Sequence, residues 1–387
     1  MTHPLLPAAI PSALKELHRD VPEGVFDDAF RSACLVMDRY VGALANELAN
    51  ELSLPVGEPF DADDLLGANG WNPAGRLALR WLLGTLELYG AAERAGSKWR
   101  FLGGTPATRS EELAELARSE RPAVEPAYRV LRTAARALPA VLRGEVRGED
   151  ALFNPSTLGL WFEYFSNDNP HYGPNNAICA VAVARAAPAG AAILEVGGGG
   201  GSGAQAVLGE LTRIGRPPTR YVFTELHPAF LRRGSRAVQA ALPAGCSLET
   251  KKLDIDLDPT EQGIDEGAFD IVFGVNTLHL ARRLVPTLAR LGGLLRSDGA
   301  LVLGEVMRPA VTNTVHLELP FALLEGYAHA ETDDEIRPQP GFLTTSQWLK
   351  ALAAAGYTSV TMLPAAIDRC AELYPGFYAG AITGRRG

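Results

Sequence analysis

Cysteine is scarce in this 387-residue chain and shows no paired spacing. Cys34, Cys179, Cys246 and Cys370 stand far apart, which argues against a CxxC-type zinc site or a disulfide framework and leaves scattered core thiols. The seven histidines form no HxH or HxxxH group, so no metal site is expected from neighbouring histidines. Long apolar runs are missing too. None reaches the roughly 18–20 residues that span a bilayer. The start "MTHPLLPAAIPSALKELHRD" has neither the basic opening nor the long apolar stretch of a signal peptide. A cytoplasmic protein without membrane contact is expected. Positive charge is also short: 36 Lys and Arg against 45 Asp and Glu give a net charge of −9. Broad nucleic-acid binding depends on neutralising phosphates, so nucleic acid is not an expected partner.

What is present reads as an ordinary globular chain, 47% hydrophobic and 21% charged. Composition shifts near residue 150 and again near 188. The first part, residues 1–150, is helix-rich: "DDAFRSACLVMDRYVGALANELANEL" carries apolar residues three and four apart. Within it, a helix ending near Gly90 is followed by the β-like "KWRFL", a winged-helix-like pattern. In DNA-binding proteins such a helix reads the groove. This one is mostly apolar, which points instead to packing or dimerisation and favours a homodimer. Residues 151–186 form a connecting segment. From residue 187 the chain alternates short apolar strands ("AAILEV", "RYVFTEL", "FDIVFGVNTL", "GALVLGEV") with helices. Apolar strands separated by helices imply a parallel sheet covered on both faces, a doubly wound Rossmann-like α/β core. The final "TSVTMLPA" and "GFYAGAITG" can pair as an antiparallel edge.

Five glycines, Gly197–Gly201, fall directly after the first of these strands and before its helix. Glycine there permits a tight turn and close backbone approach by a ligand, and the helix N-terminus offers free N–H groups. The acids choose among ligands. Glu195 precedes Gly197, Gly199 and Gly201 in the pattern ExGxGxG rather than GxGxxG. Glu225 ends the second strand, followed by Leu226, and is placed for a ribose diol. Asp254, followed by Ile255, comes at the end of the third and could accept from an adenine amino group. A carboxylate at Glu195 would repel a pyrophosphate but suits an ammonium. No basic residue directly follows Glu225, although Arg232 and Arg233 are near. The pattern favours S-adenosylmethionine over NAD.

With these residues in place, the sequence resembles the class I S-adenosylmethionine-dependent methyltransferases, and specifically the C-methyltransferase domains of polyketide synthases. The motifs that carry the resemblance include "ILEVGGGGGSG", "FTELHPAFL", "KKLDIDLDP", "FDIVFGVNTLHL", "LVLGEV" and "FALLEGY…DDEIRPQPGFLTTSQWLKALAAAGY". They run from about residue 72 to 360, and the lack of carrier or ketosynthase sequence suggests a standalone relative. The resemblance implies a lid or dimerisation role for residues 1–150, a lid at 151–186 and a cofactor-binding core at 187–387 with an acceptor-side insertion at 309–345. It implies that His279, after the fourth strand, and Glu305, ending the fifth, form a catalytic dyad. Carboxylate beside imidazole fixes the tautomer and stabilises the imidazolium. Asn276, in the Asn-x-Leu-His segment, joins the cofactor side. Tyr164 matches a tyrosine that orients the acceptor, and Asn175 or Asn176 could bond cofactor or acceptor. Glu325 and Tyr327 would line the acceptor side. His171 and Tyr172 carry little weight as surface loop.

Departures from the family pattern fall partly where the acceptor would sit. Gly200 replaces the usual Thr and Glu225 the usual Asp, Tyr327 is followed by Ala328, and "LHLA" stands in place of "LHAT". The expected activity is methylation of an activated carbon in a polyketide-like or aromatic natural-product intermediate, the acceptor being a small molecule or carrier-bound. Three other readings stay open at this level. They are O- or N-methyl transfer, a cyclisation using S-adenosylmethionine without net methyl transfer, and a winged-helix regulator that senses S-adenosylmethionine.

Overall fold

A computed structural model describes residues 27–365 and 379–386, together with Val21, Val25, Ile367 and Tyr374. Cys370 and the first twenty residues, about which the sequence raised expectations, lie outside the described residues.

The first described helix is α1 (Asp28–Glu51), started by Asp27, whose side chain accepts from the Phe30 N–H at 2.7 Å. Phe30, Cys34, Met37, Tyr40, Val41, Leu44 and Leu48 make one buried face at helical spacing. Strand β1 (Pro59–Asp61), α2 (Ala62–Ala68) and α3 (Arg76–Leu88) follow. Next come β2 (Ala92–Ala95) and β3 (Lys98–Phe101), an antiparallel hairpin to which β1 adds a third strand beside β3. Helix α3 is buried along Leu79, Leu82, Leu83 and Leu86. Helices α4 (Ser110–Glu120) and α5 (Glu125–Leu142) complete this region. Pro139 is tolerated near the end of α5, where few helix bonds remain to be lost.

Three helices lead into the core: α6 (Gly148–Leu152), α7 (Leu158–Tyr164) and α8 (Gly173–Ala186). The core then runs β4 (Ala192–Glu195), α9 (Ser202–Arg213), β5 (Arg220–Glu225), α10 (Pro228–Ala241), β6 (Ser247–Lys252), β7 (Phe269–Val275), α11 (Leu284–Gly293) and β8 (Leu295–Val306). After it come α12 (Glu318–Ala322), α13 (Thr345–Ala354), β9 (Tyr357–Leu363) and β10 (Ala379–Arg386). The seven strands lie in the order β6-β5-β4-β7-β8-β10-β9. The first five are parallel, and β10 runs antiparallel to both β8 and β9. Strands β4 and β7, and β8 from Gly299 onward, are buried along almost their whole lengths, the reason these stretches are mostly apolar.

The chain steps outward from β4 to β6, then returns to lay β7 on the other side of β4. That reversal leaves a crevice beyond the carboxyl ends of β4 and β7, where ligands bind in open α/β sheets. The segment between β8 and α13 folds back over this crevice. It is tied to the helical region by the Trp81 indole, which donates to the Val315 carbonyl at 2.9 Å, and by Thr85 and Thr314, whose hydroxyls are 2.9 Å apart.

Candidate functional site

The glycine tract turns the chain from β4 into α9. Gly197, Gly199 and Gly201 all have positive φ, at 64°, 53° and 88°, where glycine is preferred. Gly198 is glycine for another reason: a Cβ there would lie 2.1 Å from the Phe223 ring. At Gly200 a Cβ would meet only Phe162, at 3.7 Å, so a side chain such as threonine fits without strain. Gly197 and Gly199 line a cavity of about 660 Å³ at the crevice, whereas Gly201 does not. Gly201 instead makes the turn close against Gly234 and Ala237 of α10.

Glu195 lines the cavity yet is 2% exposed. Burial pushes its pKa from 4.5 up to about 8, opposed by the Tyr221 hydroxyl, which donates to it at 2.8 Å. No cation partners it among the described residues, so the cavity holds a carboxyl that a positively charged ligand would ionise. Glu225 ends β5 and accepts from the Gly199 N–H at 2.9 Å and the His227 N–H at 2.8 Å. Each of its oxygens keeps further acceptor capacity for a ligand hydroxyl. Asp254 lies two residues beyond β6 rather than at its end. Its Oδ1 accepts from the Asp256 N–H at 2.9 Å. Leu226 and Ile255 line the cavity beside these acids. Apolar walls with hydroxyl and amino acceptors at the rim, and a buried acid within, suit a nucleoside that carries an ammonium.

On the other side of the crevice His279 sits in the short turn Leu278–Leu280 after β7. Its Nδ1 is 2.7 Å from Oε2 of Glu305, both residues at most 1% exposed. The second carboxylate oxygen of Glu305 accepts from the Leu278 N–H at 2.9 Å and the Thr277 N–H at 3.2 Å. Three nitrogens converge on Glu305 and fix its carboxyl group in place. Among the described residues the other ring nitrogen, Nε2, has no hydrogen-bond partner, and the imidazole lines the cavity. Asn276 locks the approach. It has a left-handed φ of 49°, which asparagine tolerates. Its N–H donates to Gly304 at 2.7 Å, and its Oδ1 accepts from the Val306 N–H at 2.9 Å. The ends of β7 and β8, and so His279 and Glu305, are thereby held together.

The remaining wall is apolar and aromatic. Tyr164 and Tyr327, named from the sequence, line it together with Phe165, Phe321 and Phe342. Asn176 also reaches the cavity; its Nδ2 donates to Asn167 at 2.8 Å and Ser202 at 3.0 Å, while its Oδ1 has no partner among the described residues. Two expectations fail. Asn175 is fully buried but does not line the cavity, because the neighbours Asn175 and Asn176 leave α8 about 100° apart. Glu325 turns outward, its side chain 62% exposed and paired with Arg147 at 3.3 Å. The opposite error concerns His171 and Tyr172. His171 is 1% exposed and Tyr172 lines the cavity; only their place in a polar loop spoke for the surface. Cys34 and Cys179 are buried, but Cys246 is only half-buried and is not a core thiol. Among the described residues no group of His, Cys, Asp and Glu is arranged to hold a metal, and no helix is long and apolar enough to cross a membrane.

Comparisons with known proteins agree with this architecture. Residues 194–301 match the family described as a methyltransferase domain. Polyketide synthase ThaQ of Burkholderia thailandensis is 32% identical over 232 residues, which are 58% of this chain and 11% of that protein. The chain thus corresponds to about a tenth of the synthases it matches. Among solved structures, the CurJ carbon methyltransferase aligns with a TM-score of 0.78 at 24% identity, covering 97% of this chain and 96% of that one. The trans-methyltransferase CalH, in complex with SAH, aligns with a TM-score of 0.65 at 21% identity, covering 95% and 93%. Residues 194–301 thus match a methyltransferase domain, and nearly the whole chain shares the fold of the CurJ carbon methyltransferase.

Proposed function

We propose that the chain is an S-adenosylmethionine-dependent C-methyltransferase, acting on an activated carbon of a polyketide-like or aromatic intermediate, free or carrier-bound. The observation that carries this reading is the imidazole of His279, which lines the mostly apolar cavity with its Nδ1 held by Glu305 and its Nε2 unpartnered among the described residues. A carbon beside one or two carbonyls must lose a proton, and an imidazole set in a mostly apolar wall is suited to take it. Glu305 would hold the ring in the tautomer whose Nε2 is free and would stabilise the imidazolium that forms. The backbone N–H groups of Thr277 and Leu278 hold the Glu305 carboxyl in place for that role.

Bound S-adenosylmethionine supplies an electrophilic methyl group. The residues that would hold it are Glu195 for the ammonium, Glu225 for the ribose hydroxyls and Asp254 for the adenine amino group. Leu226 and Ile255 would flank the ring, and the backbone at Gly197 and Gly199 allows close approach. Asn276 would shape the floor between cofactor and acceptor. Tyr164, Asn176 and Tyr327 belong to the acceptor side. In the same reading the helices and three-stranded sheet before residue 150 act as a winged-helix-like packing or dimerisation module, and α6 to α8 as a lid.

His279→Ala should lower turnover by about 10²–10⁴-fold, the usual worth of a positioned general base. Glu305→Gln should also cause a large loss, since it keeps the shape but not the charge. Calorimetry should find S-adenosylhomocysteine binding near wild type in both. Labelled methyl donor and mass spectrometry of the product would place the methyl on carbon. Label on oxygen or nitrogen, a ring product without added methyl, or normal turnover by folded His279→Ala would refute the reading.

A further inference from the structure

Arg337 is 2% exposed, and among the described residues no carboxylate forms an ion pair with it. A cation so buried is costly unless its hydrogens are bonded, and burial pulls its pKa below the ordinary arginine value. Its two terminal nitrogens are both committed. Nη2 donates to the carbonyl of His279 and Nη1 to the carbonyl of Ala281. The turn's own bonds, from Leu280 to Thr277 and from Ala281 to Leu278, leave those two carbonyls to other donors. One planar guanidinium therefore spans the turn that carries the imidazole, with a fork geometry that lysine lacks.

The same segment also holds the ring. Phe342 packs on His279 with centroids 4.1 Å apart. Its N–H donates to Glu318 at 3.2 Å, an acid that also bonds Arg308. Gly341 makes this possible: its φ is +90°, and a Cβ there would lie 2.5 Å from Glu318 Oε1. Backbone clamp and ring support thus both come from residues 337–342.

We propose that Arg337 is a positioning residue for His279, fixing the turn so that Nε2 meets the acceptor. The proposal rests on His279 being the base. A displacement of about 1 Å at a reacting group can cost about 10²-fold in rate, so a loosened turn should act on kcat.

The test uses the full chain with Arg337→Met, which keeps length without hydrogen bonds, and Arg337→Lys, which can bond one carbonyl at a time. A direct readout is the proton resonance of the His279 Nδ1–H···Glu305 bond, assigned by its loss in His279→Ala. It should be broadened or lost in Arg337→Met and partly kept in Arg337→Lys. With the acetoacetyl thioester of N-acetylcysteamine as acceptor probe, Arg337→Met should lower kcat about 10²-fold at unchanged KM, with lysine recovering part. Adding Arg337→Met to His279→Ala should cost nothing further. Thermal midpoint and S-adenosylhomocysteine affinity should stay near wild type. An unchanged resonance in Arg337→Met overturns the proposal. So does a loss that comes with collapsed stability and lost S-adenosylhomocysteine binding in both variants, which would make Arg337 structural only. Should His279→Ala keep its turnover, the base assignment fails instead, and the resonance still reports whether Arg337 holds the ring.

Discussion

Glu195 carries a pH dependence that can be worked out from its surroundings. Its pKa rises from 4.5 to about 8 because folding strips water from it faster than the Tyr221 hydroxyl compensates. The native state therefore holds a proton that the unfolded chain releases above pH 4.5. The stability this contributes is complete below about pH 4.5 and is lost as pH rises through about 8, at about 1.4 kcal/mol per unit of displacement. Glu195→Gln is neutral throughout, so it should lose less stability than wild type between pH 6 and 9 in urea melts. Ligand binding shifts the other way. An ammonium beside Glu195 favours the carboxylate, so binding below pH 8 must expel a proton. Affinity for S-adenosylhomocysteine should rise between pH 6 and 8, by up to about tenfold per unit. Calorimetry in buffers of different ionisation enthalpy would see the released proton. An identical pH dependence in Glu195→Gln would rule this residue out as the cause.

At the scale of elements, the segment between β8 and α13 is organised around one buried ion pair. The Arg308 and Glu318 side chains are 7% and 5% exposed. Glu318, on α12, also accepts from the N–H groups of Val315 at 3.1 Å and Phe342 at 3.2 Å. A buried pair of this kind is weak evidence of net stabilisation, but breaking it leaves an uncompensated charge. Glu318→Ala should therefore cost about 3–5 kcal/mol in denaturant unfolding. The cavity wall it holds should loosen while the glycine turn between β4 and α9 stays formed. A loss below about 1 kcal/mol would mean that water reaches Arg308 and that the pair does not organise the wall.

Across the whole molecule, the helical region and the sheet share one continuous set of buried apolar side chains, from Phe30 in α1 to Ile382 in β10. Helices α3 and α5 both pack on α12, whose Phe321 lines the cavity, so the described part of the first 150 residues supports that wall from behind. Removing them would expose that apolar surface. A fragment of residues 151–387 should melt well below the full chain or aggregate, and should bind S-adenosylhomocysteine more weakly. Wild-type affinity and a cooperative melt in the fragment would show that the core stands alone.

Local patterns along the chain determined the parallel sheet, the glycine turn, the acids beside it and the pairing of His279 with Glu305. Each of these is written in a short window: an apolar run of strand length, a positive-φ glycine, an acid at a strand's carboxyl end. Neighbouring parallel strands then bring their ends together, so β7 and β8 deliver His279 and Glu305 to one place. Tertiary structure alone decided the rest. Asn175 and Asn176 are identical residues side by side, and only the packing of α8 against α9 sends one to the cavity. Tyr172, Phe342, Glu318 and Arg337 reach the site from loops and short helices without a period to read. Glu325, in a segment matching the family motif, points to water because Arg147 lies outside it. Periodicity reports that a face is buried; what it is buried against depends on chain segments a hundred or more residues away.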